Sequence, residues 1–325
     1  VTWPHGRTPI KPEIVMEAGN RGINRARTEV LTFGSVSLLS TGSDMDDPLV
    51  SFEATSAASA QAARLSARLA ADHPEYWPET IRGLIVHSAE WTPPMLDAFG
   101  VTAGKRGSYE IVRRFGYGVP DYDRATASAN NHLALFAQTD IQPFKMEGKR
   151  QFNECHYYTL PIPRDLLVRL ENAEVALKIT LSYFIDPNPG LSGSVEPQRY
   201  QSFGLRFDLR RNGEPLDTFK KRVNAAERED PRRGPRVEPD DDRWRLGANS
   251  VSAAIELLGR DMLCIKPVLG WWRDKSGKEY VNKQTRYSLI ITFKTKDEAI
   301  DLYTPIKAVV DVPISVGADI EVDAS

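Results

Sequence analysis

Cysteine is nearly absent: Cys155 and Cys264 are the only two in 325 residues, far apart and outside any Cys-x-x-Cys or Cys/His cluster. That excludes a disulfide framework and gives zinc or thioredoxin-like chemistry no support, so two buried free thiols are expected. Charge of one sign is lacking too, since 42 Lys and Arg face 44 Asp and Glu for a net charge of -2. No overall field therefore draws the chain to nucleic acid or to an anionic membrane. Long hydrophobic runs are missing: stretches such as Val36 to Leu39 and Leu84 to Val86 are far below the roughly 20 residues that span a bilayer. The chain opens at Val1 with no initiator Met, basic n-region or apolar h-region. No signal peptide reads there, and with two free thiols the expected compartment is cytoplasmic.

What is present is ordinary globular composition, with 41 % hydrophobic, 26 % charged and 9 % aromatic residues. Single cores stop growing near about 250 to 300 residues, so two domains are expected. The texture changes near 138 to 148, which divides the chain into 1–140 and 141–325. In the first part Ile10 to Met16, Glu29 to Thr32 and Val36 to Ser40 read as short strands, and Thr41 to Pro48 as a polar turn. Ala58, Ala62, Leu65 and Leu69 recur every three or four residues, which predicts a helix over Thr55 to Ala71. Pro78 opens a second helix that runs to about Ser88. Gly116 to Pro120 is a turn, and Tyr122 to Phe136 gives a last helix and strand. After Pro143 the chain offers short β-branched or aromatic runs separated by turn residues. These are Cys155 to Leu160, Val175 to Phe184, Ser202 to Arg210, Val251 to Leu258, Met262 to Val268, Tyr287 to Phe293 and Ile306 to Ile314. They predict an antiparallel β-sandwich. The mixed-charge stretch Lys220 to Arg245 reads as a solvated loop.

The sharpest local signal is Phe52-Glu-Ala-Thr-Ser-Ala-Ala-Ser-Ala60, a strand running into a serine at the start of an Ala-rich helix. Ser56 there has a backbone N–H free of intrahelical bonding, and the helix dipole favours negative charge where a tetrahedral oxyanion would form. A Ser or Thr before an apolar helix is also the ordinary N-cap pattern. The residues alone leave both readings open.

Thr-Ser-Ala-Ala-Ser at the start of an Ala-rich helix resembles the nucleophile motif Gly-Thr-Ser-x-Ala-x-Pro of the subtilisin-like serine peptidases, the subtilases of family S8. Ile10-Lys-Pro-Glu-Ile-Val15 resembles the family's Lys-Pro-Asp-Val-Val strand, Pro78 to Ala89 its following helix, and Phe115-Gly-Tyr-Gly-Val-Pro-Asp121 its Gly-x-Gly turn. Gly270-Trp-Trp-Arg273 and Arg286-Tyr-Ser-Leu-Ile290 look like a β-sandwich appended in one bacterial branch. The resemblance implies the C-terminal portion of an α/β catalytic domain over 1–140, followed by a β-sandwich over 141–325. It further implies hydrolysis of a peptide or protein substrate through an acyl-enzyme on Ser56, without cofactor. Family members often bind structural Ca2+, for which this sequence offers no site. Ala54 and Ala60 depart from the family's Gly and Pro. The family's Asp and His, expected upstream of the serine, find no Asp-Thr-Gly or His-Gly-Thr-His counterpart in the 55 residues before Ser56. An unpaired serine hydroxyl is a weak nucleophile, so this polypeptide alone is expected to be inactive. The alternative is a catalytically inactive subtilase-like binding protein. An incomplete sheet also implies open strand edges and self-association through them.

The remaining candidates divide similarly. His87, among apolar neighbours, reads as a packed structural residue; His73 sits at a helix terminus; His5, His132 and His156 have no convergent acid. Asn20 in Ala18-Gly-Asn-Arg21 imitates the family's oxyanion asparagine but directly follows the Lys-Pro-Glu strand, in a different loop. Asp44-Met-Asp-Asp47 and Asp240-Asp-Asp242 lack EF-hand spacing and read as solvated turns. Trp271-Trp272 fits either a binding platform or core packing.

Overall fold

The computed structural model describes residues 11–98, 111–126, 132–160, 165, 168, 174–188, 200–228, 249–253, 260–274 and 278–295. Among these, two compact units form: one of 11–76 and 88–126, the other of Trp77–His87 with the described residues after 131. No described helix is long and apolar enough to cross a membrane.

The first unit is a run of hairpins and helices. Strands β1 (Arg21–Ile23) and β2 (Val30–Thr32) pair antiparallel, as do β3 (Leu38–Thr41) and β4 (Leu49–Phe52). The expected strand at Ile10 to Met16 is not a ladder strand over 11–16: its backbone bonds instead to a turn, Tyr117 N–H to Glu13 O at 2.8 Å and Val15 N–H to Gly118 O at 3.0 Å. The turn needs glycine, since Gly116 has φ +55 and a Cβ there would lie 2.3 Å from Pro12 O. Val36 opens no strand, because Gly34–Val36 coil into a 3-10 turn before β3 begins. Helix α1 (Thr55–Asp72) buries Ala57, Leu65 and Leu69, residues on one face by their spacing.

The second unit holds the later strands and helix α2 (Pro78–Ser88) up to His87. Four strands pair antiparallel in the order β11 (Asn249–Ala253), β9 (Glu174–Tyr183), β13 (Thr285–Thr295), β5 (His132–Ile141). Three more pair antiparallel as β10 (Gly204–Leu209), β12 (Met262–Val268), β8 (His156–Thr159). The hairpin β6 (Phe144–Glu147) and β7 (Lys149–Phe152) completes the described strands. Leu177, Ile179, Leu289, Ile291 and Phe293 of the four-stranded sheet share one core with Tyr158, Leu205, Leu263 and Ile265 of the three-stranded sheet. Period-two alternation puts the intervening residues on the outer faces. On the four-stranded sheet those include Thr180, Thr292 and Ile290, and α2 meets them: His87 Nδ1 and Nε2 lie 2.8 Å from Thr180 Oγ1 and 2.9 Å from Thr292 Oγ1. Gly83 suits the close approach there, since a Cβ would stand 2.8 Å from the end of the Ile290 side chain and 3.2 Å from Ser182 Cβ.

The stretch expected as a loop from Lys220 is helical at its start, within Leu216–Arg228. Phe219 and Val223, one helical turn apart and fully buried, pack with Cys155, Tyr157 and Cys264, which lies on the outer face of the three-stranded sheet. Arg222 holds Glu214 at 2.8 Å, so the charges that suggested solvation are partly spent on pairing. Residues 229–248 and the Ile306 to Ile314 strand lie outside the described residues, as do 254–258 of the Val251 to Leu258 run.

Candidate active site

Ser56 is exposed in the first turn of α1, one residue after the helix begins. The chain enters this helix through Ala54, whose φ of 76 and ψ of -175 lie in a region that glycine adopts readily and other residues do not. The position where the family has Gly thus has the backbone of a glycine while carrying a methyl group. No side chain caps the helix N-terminus, and no acidic residue occupies the first turn, so the first N–H groups keep their partial positive charge. Ala57 N–H bonds Ala54 O at 3.0 Å, which closes the elbow, and Ser59 Oγ donates to Thr55 O at 2.9 Å. A hydroxyl here is presented to solvent beside oriented backbone donors, an arrangement that suits attack on a carbonyl.

No described histidine side chain bonds Ser56. His73 Nδ1 lies 3.6 Å from Glu75 Oε1 and its ring stacks on Tyr76. His87 is held between the two threonines, and burial, aided by Lys178, lowers its pKa to about 3. It is the packed neutral residue its apolar neighbours suggested. His156 sits 2.7 Å from Tyr287 Oη, and Tyr287 Oη lies 2.6 Å from Tyr158 Oη, inside the core of the other unit. Burial and the Tyr158 hydroxyl push the Tyr287 pKa far up. His5 and the His132 side chain lie outside the described residues.

The loop from Glu17 to Arg21 borders the elbow. Ala54 N–H bonds Ala18 O at 2.8 Å, Gln61 Nε2 donates to Glu17 O at 2.5 Å, and Arg21 Nε donates to Glu53 Oε1 at 2.8 Å. Asn20 Oδ1 accepts the N–H of Arg21 at 2.8 Å. Sequence reasoning did not foresee the Arg21–Glu53 pair, although both residues stand inside the quoted motifs; a separation of 32 positions carries no periodic signal. Trp272 is buried in the core against Phe203, and Trp271 packs on Tyr280 while donating to Asp186 O at 3.1 Å, so the tryptophan pair is packing, not a platform. Asp44 Oδ1 accepts the N–H of Asp46 at 3.0 Å within the β3–β4 turn. Asp240–Asp242 lie outside the described residues, among which no group of three or more metal-ligating side chains occurs.

No curated protein matches the chain. Residues 1–118 match the subtilase family, peptidase family S8. That span contains Ser56, the glycine-like elbow before it and the Gly116–Gly118 turn, and over it the chain is similar to the subtilase family.

Proposed function

We propose that this chain is the nucleophile-bearing portion of a subtilisin-type serine endopeptidase. The observation that carries the reading is Ser56, exposed at the head of α1 behind a residue in glycine-like conformation, inside the subtilase-matched span. In the reaction a histidine takes the Ser56 hydroxyl proton as Oγ attacks the scissile carbonyl. The tetrahedral intermediate collapses to the acyl-enzyme as the C–N bond breaks and the histidine gives its proton to the leaving amine. Water, deprotonated by the same histidine, then releases the acid and restores Ser56. The backbone N–H of Ser56 is one oxyanion donor, a class of interaction worth about 3 kcal/mol. The histidine and its orienting aspartate come from polypeptide outside these 325 residues. An appended β-sandwich, expected over 141–325, is supported by two antiparallel sheets that share one core, with β5 (His132–Ile141) joining one of them from just before that boundary. The substrate is a peptide or protein. The apolar side chains exposed on β1 to β4 favour self-association where nothing covers them.

A second reading is a catalytically inactive subtilase-like binding protein. One observation favours it: each described histidine side chain is engaged away from Ser56. The deciding experiment is labelling of the natural full-length polypeptide with a fluorophosphonate serine probe, wild type against Ser56→Ala. Labelling that vanishes in the variant establishes an activated nucleophile. A folded full-length protein that does not label moves the assignment to the binding role.

A further inference from the structure

Ala54 stands in a backbone conformation that only glycine adopts without steric opposition, and such a conformation persists where the surroundings over-determine it. Those surroundings are the Glu17–Arg21 loop, tied to the elbow on both sides of Ala54. Ahead of it, Glu53 Oε1 accepts Arg21 Nε at 2.8 Å and lies 2.5 Å from Arg21 Nη2, with Thr32 Oγ1 at 3.4 Å. At Ala54 itself the N–H is held by Ala18 O. Beyond it, Gln61 on α1 reaches back to Glu17 O. The loop comes this near because Gly19, at φ +73, has no side chain; a Cβ there would be 3.2 Å from Glu53 Cβ. Glu53 is the side chain at the centre of this arrangement, only 18 % exposed, with Oε2 buried and unbonded among the described residues. A carboxylate so placed has little reason to stay except its arginine.

We propose that Arg21 and Glu53 are positioning residues for Ser56: their ion pair clamps the elbow and keeps an alanine in the conformation for which the family uses glycine. The inference rests on Ser56 as nucleophile and goes beyond it. The bland alternative is an ordinary surface ion pair, since Arg21 is 59 % exposed and such pairs contribute little. The two differ in coupling. A clamp that serves Ala54 becomes dispensable once position 54 can adopt the conformation unaided; a surface pair behaves the same in either background.

The experiment is a double-mutant cycle of Arg21→Ala and Ala54→Gly in the natural full-length polypeptide, reading the rate of fluorophosphonate labelling at Ser56 together with the thermal midpoint. Arg21→Lys serves as a milder companion. The expected result is a labelling rate about tenfold lower in Arg21→Ala, within the range over which contacting residues couple, partial rescue in Arg21→Lys, and near-complete recovery when Ala54→Gly is added. An equal loss in both backgrounds, or no loss in either, overturns the clamp. If the wild type itself does not label, the nucleophile reading fails first, and the thermal midpoints of the same four proteins decide the clamp: non-additive shifts uphold it, additive shifts overturn it.

Discussion

Strands β1 to β4 and strands β9 and β13 draw on the same apolar residue types and end in opposite surroundings. Ile23, Val30, Leu39 and Leu49 are 58, 62, 70 and 53 % exposed, whereas Leu177, Ile179 and Leu289 are at most 2 % exposed. The pattern within each strand explains why. Along β9, Val175, Leu177, Ile179 and Leu181 alternate with Ala176, Lys178, Thr180 and Ser182, so one face fills a core and the other takes a polar interface with α2. In the hairpins apolar residues are adjacent, Val30 beside Leu31 and Leu49 beside Val50, and neighbours on a strand point to opposite faces. Such strands belong in a sheet covered on both sides, and a two-stranded hairpin supplies no cover. The unit with the larger sheets is therefore self-sufficient in covering its apolar side chains, while the hairpins of the unit that holds Ser56 leave theirs exposed.

The largest test of this contrast is a cavity in the self-sufficient unit. Phe203 is only 1 % exposed and packs on Trp272 and Tyr183. Phe203→Ala should lower the stability of that unit by about 3 to 5 kcal/mol in a denaturant titration, the range for a large aromatic removed from a packed site. A loss below 1 kcal/mol would mean that this core is loosely packed and that the contrast is overstated.

Next in size is acid. Buried His87 titrates at about 3, below its ordinary 6.5, mainly because burial disfavours the imidazolium. A depressed histidine means the unfolded chain binds more protons, so its contribution is fully present above pH 6.5 and declines as pH falls from there toward 3. Each unit in that window removes about 1.4 kcal/mol, so lowering the pH from 6.5 to 5 should reduce the unit's stability by about 2 kcal/mol. The His87→Gln variant should show a flatter profile over the same range. A wild-type profile that is already flat there would indicate that His87 titrates normally.

How far the sequence could be read follows the same division. The α1 stripe of Ala and Leu, the α2 start at Pro78 and most later strands were legible because burial on one face writes a period into the chain. The helix at Leu216–Arg228 was not, because its charges dominate composition and its two anchors, Phe219 and Val223, are too few to outweigh them. At the site, Ser56 was visible through its motif and Ala54 as a departure from it. What stayed hidden was how the departure is tolerated, because the tie from Arg21 to Glu53 joins positions related only through the fold. Equally hidden was that α2 up to His87 groups with strands lying some ninety and two hundred positions on, since His87, Thr180 and Thr292 carry no mutual pattern.

A smaller effect tests the strained elbow. Ala54→Gly relieves a left-handed conformation that opposes a side chain, at the expense of a more flexible unfolded chain. The net expectation is a gain of about 1 kcal/mol in the unit that holds α1, read as a higher midpoint in denaturant. A loss would mean that Ala54 sits there without strain.

The smallest change in folding stability, and the one that bears most directly on the contrast, is at the hairpins. Leu39→Ser and Leu49→Ser alter side chains already 70 and 53 % exposed, so little buried contact is lost and stability should move by no more than about 0.5 kcal/mol. Association should respond much more, because the free energy of sticking comes from the same exposed area. Light scattering of the 325-residue chain should show a smaller particle in the double variant, with weaker binding of an apolar dye. If the substitutions instead unfold the first unit, these leucines already have a partner surface, and β1 to β4 are complete as they stand. If both particle size and dye binding stay unchanged, exposure on these strands drives no association, and their two-faced pattern needs a different physical explanation.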